Sequence, residues 1–230
     1  MSTSKPYDFE DVSVVMGTYN EAAAVGTVLD SIDEATDGAA EIVCVDGSSD
    51  CTPEIAREHG AHVIEQEPRG YGVAVARALR AASRPVIVTT DCDGTYPMDA
   101  LPEFLDAINR GYDVVSGDRL YHGAATMPAF NRFGNHAFAA LASVLLGERV
   151  HDTTTGMRAY RREVIENIDW TENTGLSAEL LVRPLARGYA VREHPIDYGE
   201  RLGETTLDPL SGGAAIARSI LTVCLEERRR

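Results

Sequence analysis

Short apolar runs alternate with longer amphipathic stretches through the first half of the chain. Residues 11–16 (DVSVVM), 41–45 (EIVCV), 62–65 (HVIE), 85–90 (PVIVTT) and 113–116 (DVVS) are brief and mostly apolar, which predicts buried strands. Between them, residues 21–36, 52–59, 71–82 and 98–110 carry the wider spacing of helices. Asn20 offers a cap to the first, and Pro53 sits in the first turn of the second. Strands separated by single helices imply parallel neighbours joined by crossovers, hence an α/β fold. In such sheets ligands gather outside the carboxyl ends of the strands. The polar motifs fall there: Thr18-Tyr19-Asn20-Glu21, Asp46-Gly47-Ser48-Ser49-Asp50 and Asp91-Cys92-Asp93.

The second half is less regular. Residues 128–146 read as a helix bearing Phe130, Phe133, Phe138, Leu141 and Leu145. These side chains suit either a core or a lipid surface. Residues 157–160 and 190–195 predict strands, 176–187 a helix closed by Gly188, and 210–227 a last amphipathic helix. No linker rich in Gly, Ser or Pro interrupts the chain. One domain over 1–230 is expected: a first half at about 11–115 that carries the polar motifs, a second half at about 116–207, and the helix at 208–230.

Charge changes this picture in one respect. The chain of 230 residues has a net charge of −15, and its only lysine is Lys5 among 21 basic residues. A diffuse acidic surface excludes nucleic acid as a partner, because phosphate backbones are bound by fields of Lys and Arg. It suits a protein kept soluble in strong salt, where surface repulsion is screened. Most of the acidic excess lies before residue 116, and the arginines gather after it. Cys44, Cys51, Cys92 and Cys224 lack ligand spacing and read as free, buried thiols of a reducing compartment. The N-terminus lacks an apolar leader, and no apolar run is long enough to span a bilayer, so the expected location is cytoplasmic.

The candidate chemistry centres on Asp91-Cys92-Asp93-Gly94. Carboxylates at i and i+2 of an extended segment point the same way and can share a hard divalent cation, Mg2+ or Mn2+. Such an ion neutralises a departing diphosphate. A solvated turn would also give this pattern, but here it follows an apolar strand and has polar company upstream. Asp46 ends the second strand, where it could accept hydrogen bonds from a base or ribose; otherwise the segment with Ser48 is a helix-capping turn. Gly70-Tyr71-Gly72 precedes a helix, so backbone N–H groups could approach a phosphate there.

Together these segments resemble the inverting GT-A-fold glycosyltransferases of family 2. Later residues are similar to its dolichyl-phosphate mannose/glucose synthase branch. They are Ser116-Gly117-Asp118-Arg119, Met127-Pro128, Arg132-Phe133-Gly134-Asn135, Asp152-Thr153-Thr154-Thr155-Gly156-Met157-Arg158-Ala159-Tyr160 and Arg201-Leu202-Gly203-Glu204-Thr205. The resemblance implies a mainly parallel mixed sheet with helices on both faces, a nucleotide-sugar donor and a polyprenyl or dolichyl phosphate acceptor met at a membrane surface. It places Thr18, Tyr19, Glu21 and Asp46 around the nucleoside, with Ser48, Gly70, Gly72 and Asp91 in the same donor site. Asp91 and Asp93 would hold metal and diphosphate, and Arg119, Arg132 and Arg201 would face phosphates. Thr95 stands where some relatives carry a metal-binding Gln. A sugar-hydroxyl acceptor would instead need a base, for which Glu179 or Asp152 is available. A silent nucleotide-sugar-binding protein is the alternative of another class.

Overall fold

The computed structural model describes residues 5–203 and 209–229. The chain order is β1 (Val12–Thr18), α1 (Val25–Thr36), β2 (Glu41–Asp46), α2 (Thr52–Glu58), β3 (His62–Glu65), α3 (Tyr71–Ala81) and β4 (Val86–Thr89). It continues through α4 (Leu101–Asn109), β5 (Val114–Asp118), α5 (Ala129–Leu146), β6 (Arg158–Arg161), α6 (Arg162–Glu166), α7 (Leu176–Ala186), β7 (Val191–Pro195) and α8 (Pro209–Glu227).

The seven strands form one sheet in the order β3-β2-β1-β4-β6-β5-β7. All run one way except β6, which pairs antiparallel with both β4 and β5. The sheet is therefore mixed, and the reversal of β6 brings the loop before it, residues 152–157, to the edge where β4 and β5 end.

Alternation along the strands divides the core. Val12, Val14 and Met16 of β1, Cys44 of β2, and Val86 and Val88 of β4 face α1 and α4 on one side. Val15, Val43, Val45 and Ile87 face α3, α6 and α7 on the other. Both faces are covered, which is why these strands read as apolar runs rather than alternating ones.

Three expectations need adjustment. Helix α1 begins at Val25 rather than at Glu21, because Asn20 takes a left-handed conformation (φ 56°). Its side-chain carbonyl accepts the Ser49 N–H instead of capping a helix, which ties the loop after β1 to the loop after β2. Helix α5 divides its aromatic residues. Phe138, Leu141 and Leu145 pack toward a third cluster formed with α7 and α8, while Phe130 and Phe133 are 62% and 74% exposed. Finally, Cys44, Cys92 and Cys224 are buried as expected, but Cys51 is exposed at the start of α2. No helix among the described residues is long and apolar enough to cross a membrane.

Candidate active site

The carboxyl ends of β1, β2 and β4 meet at one crevice. Thr18 and Asp46 are register partners on adjacent strands, and the Thr18 hydroxyl donates to Asp46 Oδ2 at 2.6 Å. The same carboxylate accepts the Ser48 N–H at 2.9 Å and the Ser48 hydroxyl at 2.7 Å. Ser48 Oγ in turn accepts the Asn20 N–H at 2.7 Å. Asp46 is buried, and its oxygens already hold the two loops together. Tyr19 stands out from this floor, 45% exposed.

Beyond β4 the chain turns through Asp91 and Asp93. Asp91 accepts the Tyr71 hydroxyl at 3.2 Å. Burial and the neighbouring Asp93 charge hold its pKa above the usual carboxylate range. Asp93 is buried and doubly engaged. Its Oδ1 accepts the Thr95 N–H at 3.1 Å and the Thr95 hydroxyl at 2.6 Å. Its Oδ2 accepts Arg201 Nη1 at 2.8 Å. Arg201 Nη2 donates to Glu21 at 2.7 Å. Burial pushes Glu21 up to about 7, opposed by Arg201 and reinforced by Asp93, Asp91 and Asp50.

The site's donor chemistry fits a metal shared with a substrate. Two carboxylates meet in a poorly solvated place, and burial together with the Asp93 charge holds Asp91 above the usual carboxylate range. Thr95, which stands where some relatives supply a ligand, is buried with its hydroxyl given to Asp93. Among the described residues no group of three or more His, Cys, Asp or Glu could hold a metal ion by itself. A small hard cation that keeps waters and phosphate oxygens in its shell requires no more than a carboxylate or two from the protein.

Several predicted residues meet partners that sequence spacing could not reveal. Gly70 and Gly72 are small for the chain's own sake. The Gly72 N–H donates to Asn173 Oδ1 at 3.0 Å, and a side chain on Gly72 would strike the backbone of Glu172 and Asn173. That segment makes the close approach to Gly72. Arg119 is buried, not free. Its Nε and Nη2 grip the Asp152 carboxylate at 2.7 and 2.9 Å, its Nη2 also reaches Thr154, and its Nη1 contacts the Tyr96 hydroxyl. Its guanidinium lies 5.3 Å from the Tyr198 ring centroid. Arg132, on α5, is half-buried and donates to the Gly123 carbonyl at 3.2 Å. Arg201 is the arginine brought onto the aspartates; Glu204 and Thr205, which follow it in the motif, lie outside the described residues.

The two candidate bases are both committed. Asp152 serves Arg119. Glu179, on α7, is fully buried, accepting Arg183 Nε at 2.8 Å and the N–H groups of Thr171 and Glu172. Arg183 continues to Glu226 and Glu227 on α8. Glu179 therefore orients an arginine that clamps the last helix. Tyr96, Asn173 and Tyr198 build the site without having been singled out. The Tyr96 hydroxyl accepts the Gly156 N–H at 2.6 Å, and its ring meets Tyr198 edge-on at 5.7 Å. The Tyr96 position, three residues past Asp93, was the only signal the sequence offered for these.

Residues 13–169 match the model of glycosyl transferase family 2. The chain is 69% identical over 224 residues to the dolichyl-phosphate hexose transferase of Haloferax volcanii, covering 97% of this chain and 98% of that one. It is 30% identical over 215 residues to the polyprenol monophosphomannose synthase of Mycolicibacterium smegmatis, covering 86% and 80%. Among solved structures it is similar to glucosyl-3-phosphoglycerate synthase from Mycobacterium tuberculosis in complex with Mn2+, UDP-glucose and glycerol 3-phosphate. That match has a TM-score of 0.73 and 25% identity, over 94% of this chain and 79% of the other. The mixed sheet, the paired aspartates at its carboxyl edge and these likenesses agree: the chain is a GT-A-fold glycosyltransferase belonging to glycosyl transferase family 2.

Proposed function

We propose that the chain moves a hexose from a GDP- or UDP-hexose to a polyprenyl (dolichyl) phosphate, with inversion, in the assembly of glycans. One observation carries the reading. Thr18, Asp46, Asp91, Asp93 and Arg201 converge at one sheet edge, while the two candidate bases, Asp152 and Glu179, are held in buried ion pairs. Two relatives named for transfer to prenyl phosphates support it.

In this reading Thr18, Tyr19, Glu21, Asp46 and Ser48 receive the nucleoside, the Tyr19 ring offering a stacking face. Gly70 and Gly72 shape the donor site by admitting Asn173. Asp91 and Asp93 would hold Mg2+ or Mn2+ together with the diphosphate. When bound, that ion supplies positive charge to the departing nucleoside diphosphate. Arg201 and Arg132 offer forked N–H donors to phosphate oxygens. Arg119, with four of its five donors engaged, works mainly as a fixed charge beside Tyr198. A phosphate oxygen of the acceptor attacks the anomeric carbon as the bond to the diphosphate oxygen breaks, and that oxygen leaves with the electron pair. The acceptor is already an anion, so no proton has to be removed. That is consistent with Asp152 and Glu179 being locked in ion pairs. Much of the rate then comes from holding two anions together in line.

The acceptor half faces its lipid at the cytoplasmic side of a membrane. Phe130 and Phe133 flank Arg132 on the exposed start of α5, an apolar and cationic pairing suited to a bilayer surface. The arginine-for-lysine, acid-rich composition suits work in molar salt.

The test is a transfer assay in molar KCl with Mg2+ or Mn2+, several labelled nucleotide hexoses and dolichyl phosphate. Label should enter the organic phase and be lost with Asp93→Ala. Metal-dependent donor hydrolysis without lipid label would overturn the acceptor assignment and keep the transferase.

A further inference from the structure

Residues 198–203 form a strap folded back across the crevice. The Gly199 N–H donates to the Thr95 carbonyl at 2.9 Å, and the Leu202 N–H to the Asp93 carbonyl at 2.8 Å. The Leu202 side chain lies against Gly94, where an added Cβ would come within 2.9 Å of its Cδ1. The Tyr198 carbonyl accepts the Thr126 hydroxyl at 2.5 Å. Arg201 is the strap's electrostatic fastener, forked between Asp93 Oδ2 at 2.8 Å and Glu21 Oε1 at 2.7 Å.

That fork has a consequence for the carboxylate pair. Asp93 Oδ1 is occupied by Thr95, so Oδ2 is its more open oxygen, and Arg201 sits on it. A divalent cation on the same carboxylate oxygen would meet the guanidinium charge at close range, and the two repel. A cation that takes Oδ2 competes with Arg201 for it. The displaced arginine is not lost, because Glu21 holds its other nitrogen from a different loop.

We infer that Arg201 is an exchangeable counter-cation for Asp93, giving way to the metal, and that Glu21 is the positioning residue that keeps it at the crevice mouth afterwards. The inference rests on reading Asp91 and Asp93 as the metal pair. It makes the metal alone a weak ligand. It also turns the freed guanidinium toward the diphosphate that arrives with the metal, so that metal and donor favour one another's binding.

The experiment is Mn2+ titration of the full chain without nucleotide, read by loss of the free-ion electron paramagnetic resonance signal, in 1 M KCl. At that ionic strength charges beyond about 3 Å are screened, so the readout reports contact exchange rather than net charge. Arg201→Gln should bind Mn2+ about five- to tenfold more tightly than wild type, the worth of losing a competing, partly buried ion pair. Arg77→Gln, which removes an equal charge from a side chain that hydrogen-bonds Glu65 and Gln66, should leave the affinity unchanged. Arg201→Lys, which cannot fork between both acids, should fall between wild type and the glutamine variant and serves if that variant is unstable. Titration in the presence of UDP or GDP should show the ternary gain reduced in Glu21→Gln, where the released arginine has no second anchor. Asp93→Ala should abolish binding. If it does and Arg201→Gln binds no more tightly than wild type, the exchange is overturned while the metal pair stands. If Asp93→Ala leaves Mn2+ binding intact, the metal pair itself is wrong and the exchange falls with it.

Discussion

Removing the carboxylate of Asp152 should be among the most destabilising single changes near the site. Asp152 is 0% exposed and its partner Arg119 7%. They are joined by two short charge-assisted bonds, and Asp152 also accepts the N–H groups of Arg119 and Thr154 at 3.2 and 3.1 Å. Asp152→Ala strands a buried guanidinium, a defect of about 3–5 kcal/mol. At about 2–4 °C per kcal/mol for a chain of this size, the melting temperature should fall by roughly 6–20 °C. Asp152→Asn keeps an acceptor for part of the network and should lose about half as much. Because both charges leave together, Arg119→Met combined with Asp152→Ala should be no less stable than Asp152→Ala alone. Thermal unfolding of the three variants in constant molar KCl, followed by circular dichroism, is sufficient. Burial alone would raise the Asp152 pKa, but Arg119 holds it below its ordinary value near 3.8. A carboxylate depressed in the fold adds stability that is full above the unfolded value and fades as pH falls through the folded one. The gap between wild type and Asp152→Asn should therefore be constant at neutral pH and shrink only below about pH 4. A loss under about 1 kcal/mol, or single losses that simply add, would refute the buried-pair account.

Gly156→Ala should displace Asp91, whose Cγ would lie 2.6 Å from the new Cβ. Mn2+ binding and turnover should fall at least tenfold, with the melting temperature lowered by about 2–12 °C through overpacking, as calorimetry and transfer assays can check. Glu179→Gln should lower the melting temperature by several degrees through the Arg183 clamp on α8 while kcat per folded molecule stays within about twofold. A selective loss of turnover would restore its candidacy as a base. Phe130→Ser with Phe133→Ser should reduce co-sedimentation with anionic vesicles several-fold and leave the melting temperature within about 2 °C, since both rings are exposed.

Much of the donor site was legible from local pattern because its residues are positioned by local rules. Asp91 and Asp93 follow a buried apolar strand, and a strand end in a parallel sheet is an address in space. The same holds for Thr18 and Asp46, which register pairing then brings into direct hydrogen bonding. The arginines were legible only as a set. Arg119 lies 33 positions from Asp152, and Arg201 lies 108 from Asp93 and 180 from Glu21. Nothing in spacing says which guanidinium is spent on an internal carboxylate and which reaches the crevice. The glycines at 70 and 72 carry the same lesson, since the backbone they accommodate arrives from 101 residues away.

What the sequence determined by itself is the set of elements and the edge of the sheet where chemistry collects. Burial on both faces writes an apolar strand into consecutive residues, and helical spacing writes its crossover into the next dozen. What only the tertiary structure decided is the reversal of β6, the division of the α5 aromatics between core and surface, and the pairing of each buried charge. Those outcomes depend on desolvation, and a charge loses its water only to neighbours that the folded chain brings from far along the sequence.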